Sequence, residues 1–147
     1  MSYRLNRLLR YIFRKTVAHF PLVYYICSFP DGKLIGEPKQ IGAFSIIDYG
    51  GTVIIGKNVK IGYGVIILSV SSITGSRGGK IIRKPVIIGD NVEIGSHAVI
   101  LPGSKIGNNS TIGAGAVVLQ DTEIPENSVA VGVPANIVKT KKSTEHS

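Results

Sequence analysis

The sequence has no tryptophan, one methionine and one cysteine, Cys27, in 147 residues. A lone cysteine excludes a disulfide framework and any cysteine-based metal site, so nothing in the chain asks for an oxidising compartment, and a reducing cytoplasm is its simplest setting. Acids are scarce as well: nine Asp and Glu stand against seventeen Lys and Arg, a formal charge of +8. Charged residues of both signs make up only 18% and hydrophobic ones 44%, which argues against a disordered chain. A long apolar run is missing too. The apolar, aromatic stretch from Thr16 to Phe29 is broken by His19 and Pro21 and falls short of the roughly 20 residues that cross a bilayer. It also lacks a convincing small-residue cleavage site, so neither a membrane span nor a secretory leader is expected. Glycine is what the chain has in quantity, 18 residues, the mark of many tight corners. At this length one domain is expected.

The clearest order in the sequence is a period of six. An aliphatic residue, usually followed by glycine, recurs at Ile55, Ile61 and Ile67, then at Ile88, Ile94, Ile100, Ile106, Ile112, Val118 and Ile124. Four places later comes a small or branched residue, as at Val59, Val65, Val92, Ala98, Ser104, Ser110 and Ala116. Each unit therefore has two inward positions. Every third unit exchanges its glycine for leucine, at Leu101 and Leu119, and Asn91, Asn109 and Asn127 recur at the same interval of eighteen. Three units thus make one turn of a coil, with asparagine at a corner that needs left-handed backbone. Periods of 2 or 3.6 do not fit, so an amphipathic helix or a simple alternating strand is excluded. The expected fold is all-β, a left-handed parallel β-helix in which coils stack at about 4.8 Å and Ile and Val fill a triangular interior.

Both markers also place an interruption. Leu68 precedes Leu101 by 33 residues and Asn58 precedes Asn91 by 33, one coil of eighteen and fifteen more. The expected excursion lies at about 73–87, where the register fails. It carries Arg77, Lys80, Arg83 and Lys84 without an acid, which suits either a lid over an anionic acceptor or an ordinary solvated loop. Arg4, Arg7, Arg10, Arg14 and Lys15 make the amino terminus basic, while Leu5, Leu8, Leu9, Ile12 and Phe13 keep helical spacing. An amphipathic helical cap on the open prism end is expected over 1–30, with peripheral contact to an anionic membrane, at the inner membrane face, as an addition. The β-helix is expected over 36–138 and a basic, polar tail over 139–147. No nucleic-acid-binding fold accompanies the charge, so nucleic acid is not an expected partner.

The hexapeptide units, the excursion and the closing stretches 112–118 (IGAGAVV) and 131–138 (VGVPANIV) resemble the hexapeptide-repeat acyltransferases, in particular the branch holding serine acetyltransferases and the O-acetyltransferases of polysaccharide assembly. The resemblance implies a homotrimer, with acetyl-CoA as co-substrate lying along the coils between neighbouring subunits, no metal, and a small acceptor, a sugar above all. It places Ser96 and His97 near the thioester, Ala114, Gly115, Leu119 and Gln120 along the pantetheine path, and Lys139, Lys141 and Lys142 near the phosphates. Asn136 departs from the Lys or Arg usual in relatives.

Acetylating a hydroxyl at neutral pH needs a general base, most often histidine. Of three histidines, His19 and His146 lie near the ends of the chain, which leaves His97. Relatives carry their histidine just before the excursion, where this chain reads Ser69, Val70, Ser71 and Ser72. The Asp-His pair of serine acetyltransferases corresponds here to Asp48 and Tyr49. Three readings follow: His97 serves as the base; Tyr49 or a serine acts with an unusual partner; or the chain is a catalytically impaired scaffold. A carbonic anhydrase on this fold would need three histidines round zinc, which the two terminal histidines do not supply.

Overall fold

A computed structural model describes residues 23–27, 29–72 and 80–140. The proposed cap over 1–22, with His19 and the basic amino terminus, lies outside the described residues, as do Arg77 and the tail from Lys141 with His146. The described chain winds through five coils of a left-handed parallel β-helix. The first coil holds β1 (Tyr24–Ile26), β2 (Leu34–Ile35) and β3 (Gln40–Ile41), and the second β4 (Ile46–Asp48), β5 (Val53–Ile55) and β6 (Lys60–Ile61). The third has β7 (Ile66–Leu68), a side hairpin of β8 (Val70–Ser71) and β9 (Ile82–Arg83), then β10 (Val86–Ile88) and β11 (Glu93–Ile94). In the fourth are β12 (Val99–Ile100), β13 (Lys105–Ile106) and β14 (Thr111–Ile112), and in the fifth β15 (Val117–Val118), β16 (Glu123–Ile124) and β17 (Ser128–Val131). A last strand, β18 (Asn136–Thr140), turns back antiparallel on β17.

Three sheets form the walls. The first face runs β1-β4-β7-β12-β15, the second β2-β5-β10-β13-β16, and the third β3-β6-β11-β14-β17 with β18 at its edge. Register follows the six-residue period: Ile61 sits on Ile94 and Ile94 on Ile112, while Ile88 sits on Ile106. All ten aliphatic positions of the period are at most 4% exposed, and Val59, Val65, Val92, Ala98, Ser104, Ser110 and Ala116 are fully buried. Parallel strands walled on one side by this core take β-branched residues because their stiff side chains pack without losing rotamers. The buried serines are paired with backbone, as in Ser69 Oγ to Asp48 O at 2.6 Å and Ser110 Oγ to Pro125 O at 2.8 Å. No described buried side-chain polar atom is left unpaired.

The corners explain the asparagines. Asn58, Asn91, Asn109 and Asn127 all have φ between 56° and 59°, a region that Asn visits more readily than most residues. Their side chains form a ladder along the prism: Asn58 Nδ2 donates to Asn91 Oδ1 at 3.2 Å, Asn91 to Asn109 at 3.0 Å and Asn109 to Asn127 at 3.2 Å.

Three boundaries differ from the sequence expectation. The prism begins at Tyr24, inside the range expected for the cap, because Tyr24 to Ile26 pair in register with Ile46 to Asp48. The excursion leaves after Ser69 and is back before Val86, since β10 pairs with β5 through Val86 and Val53 and both are fully buried. Its fifteen extra residues are therefore 70–84, three earlier than expected at either end. Lys139 and Thr140 belong to β18 rather than to a free tail.

Candidate active site

His97 stands at the corner joining the third face to the first. Its equivalents on the coils below and above are Gly64 and Gly115, and two coils below is Phe44; these four have φ of 59°, 61°, 68° and 63°. The preceding corner column holds Ala43, Tyr63, Ser96 and Ala114. Backbone bonds tie the corner together: Gly64 N to Ala43 O at 2.9 Å, His97 N to Tyr63 O at 2.8 Å and Gly115 N to Ser96 O at 2.9 Å. Ser96 Oγ also accepts from Tyr63 N at 3.1 Å.

The glycines give this corner its shape. A Cβ on Gly64 would lie 2.7 Å from the His97 ring, so the imidazole folds down over the place where that side chain would be. A Cβ on Gly115 would meet nothing within 4 Å. His97 thus rests on glycine below and is exposed, while a side chain on Gly115 in the coil above would project into open space. It can reach a ligand at the corner and take a proton there.

The other expected residues divide. Ser96, Ala114 and Gly115 share the His97 corner, whereas Leu119, 46% exposed, and Gln120 close the first face at the next corner of the top coil. Lys139 is exposed on β18 at the top of the third face. These six positions form a band round the carboxyl-terminal coils. Asp48 and Tyr49 are elsewhere, two coils below and across the first face from His97. The Asp48 carboxylate accepts from Gly50 N at 2.9 Å and closes its own turn. Tyr49 is half-buried against the core and lines, with Tyr25, Leu34 and Glu37, a depression of about 570 Å³ beside the first described coil. Within one chain the structure does not bring Asp48 or Tyr49 to His97.

Two of the excursion's cations, Arg83 and Lys84, are already engaged. Arg83 donates to Asp31 Oδ1 at 2.9 Å and to Gly50 O at 2.7 Å, and its guanidinium lies 4.2 Å from the centre of the Phe29 ring. That guanidinium, with local backbone hydrogen bonding, holds the Asp31 carboxyl below the usual carboxylate range. Lys84 pairs with Asp121 on the top coil. These two charges pin the stem of the excursion to the coils on either side of it. Among the described residues no three His, Cys, Asp or Glu are grouped to hold a metal, and no helix is long and apolar enough to cross a membrane.

Sequence reasoning passed over two residues here, Phe44 and Tyr63, which are 62% and 61% exposed on the coils below His97. The signal for Phe44 was available, since it falls in a column otherwise filled by Gly and His. A bulky residue in left-handed backbone costs about 1–2 kcal/mol.

Comparison with known proteins adds to this geometry. Residues 85–120 match the family model of the bacterial transferase hexapeptide (six repeats), and no curated protein matches the chain. The structure is similar to a hexapeptide-repeat-containing acetyltransferase from Vibrio cholerae O1 biovar eltor, complexed with acetyl coenzyme A. Identity is 26% and the TM-score 0.69, over 93% of this chain and 79% of that one. A maltose O-acetyltransferase from Clostridium difficile 630 is 30% identical with TM-score 0.54, covering 75% of this chain and 71% of its own. A polysialic acid O-acetyltransferase is also 30% identical, with TM-score 0.64, over 80% of this chain and 58% of that chain.

Proposed function

The chain belongs to the hexapeptide-repeat acetyltransferases, and from that premise we propose that it moves an acetyl group from acetyl-CoA to a hydroxyl of a sugar. The donor follows from the acetyl coenzyme A complex of the Vibrio cholerae relative, and the acceptor class from the maltose and polysialic acid enzymes. A role in surface-polysaccharide synthesis fits that acceptor class. The observation that carries the reading is His97 at a corner with glycine beneath its ring and open space over Gly115.

In this reading a ring nitrogen of His97 takes the proton of the acceptor hydroxyl as its oxygen attacks the thioester carbonyl. The new C–O bond forms, the C–S bond breaks, and the proton passes on to the departing thiolate. The carbonyl oxygen carries negative charge in between and needs a fixed donor. The amides of Gly64, His97 and Gly115 are spent on the corner ladder, so the donors are sought at Ser96 and Ala114, whose amides take no part in it. Ala114, Gly115, Leu119, Gln120 and Lys139 form the band along which the extended donor would lie, with Lys139 toward its phosphates.

The homotrimer belongs to the same proposal. The outward row of the first face reads Tyr24, Ile46, Ile66, Val99 and Val117 up the stack, an apolar stripe suited to burial between subunits. The third face shows Gln40, Lys60, Glu93 and Thr111 instead. A cytoplasmic setting suits the exposed free thiol of Cys27.

Release of free thiol from acetyl-CoA, measured over a panel of pyranosides, tests the proposal. His97→Ala should lower turnover about 10²–10⁴-fold and leave acetyl-CoA binding intact. An unchanged rate would refute the role of His97. Tight acetyl-CoA binding without transfer to any acceptor would favour the impaired scaffold, the reading prompted by serines where relatives carry histidine.

A further inference from the structure

We propose that Phe44 and Tyr63 form a stacking platform for the ring of the acceptor sugar, on the two coils below His97. The inference rests on the transferase reading only for the reaction that follows binding.

Four observations lead there. Phe44 and Tyr63 are diagonal neighbours on adjacent coils, because Tyr63 stands over Ala43 through the bond from Gly64 N to Ala43 O. They are 62% and 61% exposed, so two aromatic faces meet solvent on one corner. Phe44 holds φ of 63°, a backbone region in which a bulky residue is an outlier and glycine is comfortable. Strain kept at an exposed position where glycine would relieve it points to use of the side chain. Finally, the His97 ring leans over Gly64, the residue between it and Phe44, so it lies on the platform's side of its own coil.

The chemistry selects a ligand class. The corner segments 42–45, 62–65 and 95–98 contain no Asp, Glu, Lys or Arg, and the cations Arg83 and Lys84 are committed to Asp31 and Asp121. Among the described residues these segments offer no lysine or arginine side chain to neutralise a phosphate or carboxylate. An uncharged pyranose fits, since the C–H groups on one ring face lie against the negative face of an aromatic ring while the hydroxyls remain at the edge, one of them toward His97. The open space at Gly115, where an added Cβ would meet nothing within 4 Å, is left for the donor.

The platform is tested by saturation-transfer NMR on the full chain loaded with coenzyme A. The probes are methyl α-D-glucopyranoside, methyl β-D-galactopyranoside and methyl N-acetyl-β-D-glucosaminide, with irradiation of the protein's aromatic protons. At least one probe should receive saturation on its ring C–H protons. The signal should fall fivefold or more in both Phe44→Gly and Tyr63→Ala. Phe44→Gly removes strain together with the ring, so it should melt at or above the wild-type temperature while losing the sugar, a combination that a merely structural phenylalanine would not give. No transfer to any probe in the wild type, or undiminished transfer in Phe44→Gly, overturns the platform. So does a change of oligomeric mass by light scattering in either variant, which would make these rings subunit contacts. Thiol release in the same samples separates the two proposals. Sugar contact without release upholds the platform and sinks the transfer reading; release without aromatic contact does the reverse.

Discussion

Gly64 and Gly115 offer a paired perturbation that isolates the position of the His97 ring. Both occupy the same corner column, with φ of 61° and 68°, so replacing either by alanine carries the same backbone penalty of roughly 1–2 kcal/mol. For a chain of this size that is a loss of about 2–8 °C in melting temperature. Their surroundings differ. The new methyl at Gly64 would sit 2.7 Å from the His97 ring, whereas at Gly115 it would meet nothing within 4 Å. Restoring an ordinary carbon contact pushes the imidazole back by roughly 0.8 Å, and a displacement near 1 Å in a reacting group costs up to about 10²-fold in rate. Gly64→Ala should therefore lower kcat about 10–10²-fold with little change in the KM for acetyl-CoA. Gly115→Ala should spare kcat and raise that KM. Thiol-release kinetics and melting curves on both variants provide the comparison. Equal losses of kcat in the two, or none in Gly64→Ala, would refute the claim that the Gly64 gap seats the base.

Stability should follow the ladder and the core. Ile100→Ala, at a fully buried position, should cost about 2–5 kcal/mol in urea unfolding. Asn109→Ala breaks the ladder on both sides, to Asn91 and to Asn127, and strains the corner, so about 2 kcal/mol should be lost; Asn109→Gly, which keeps the backbone comfortable, should lose less. The Asp31 carboxyl is held low by Arg83, so its contribution is present above the ordinary carboxylate range and disappears as pH falls through the lowered value. The stability gap between wild type and Arg83→Ala, followed by melting from pH 6 to pH 2, should accordingly narrow toward acid; a gap that widens would contradict the pairing.

Most of the prism was legible because its signals are local and repeated. Ile88, Ile94 and Ile100 lie six apart and each points inward, and Asn91 and Asn109 lie eighteen apart and are bonded to one another. The excursion's length was legible from the same markers, but its edges were not, since Ile82 in the hairpin and Val86 in the core are equally apolar as letters. The start at Tyr24 was hidden in an aromatic run without the usual glycine corners. Arg83 and Lys84 looked like free cations because their partners are 52 and 37 residues away in the chain. Asp48 and Tyr49 matched a family position by sequence, yet the first face separates them from His97. Phe44 and Tyr63 were missed because a period built on inward residues says nothing of the corner side chains that point out.

Calorimetric titration of acetyl-CoA into the purified chain tests the central claim most directly. Saturable binding at one molecule per chain, weakened by Gly115→Ala and unaffected by His97→Ala, is the predicted result. Absence of binding, or binding indifferent to Gly115, would contradict a donor groove at this corner and with it the proposed transfer.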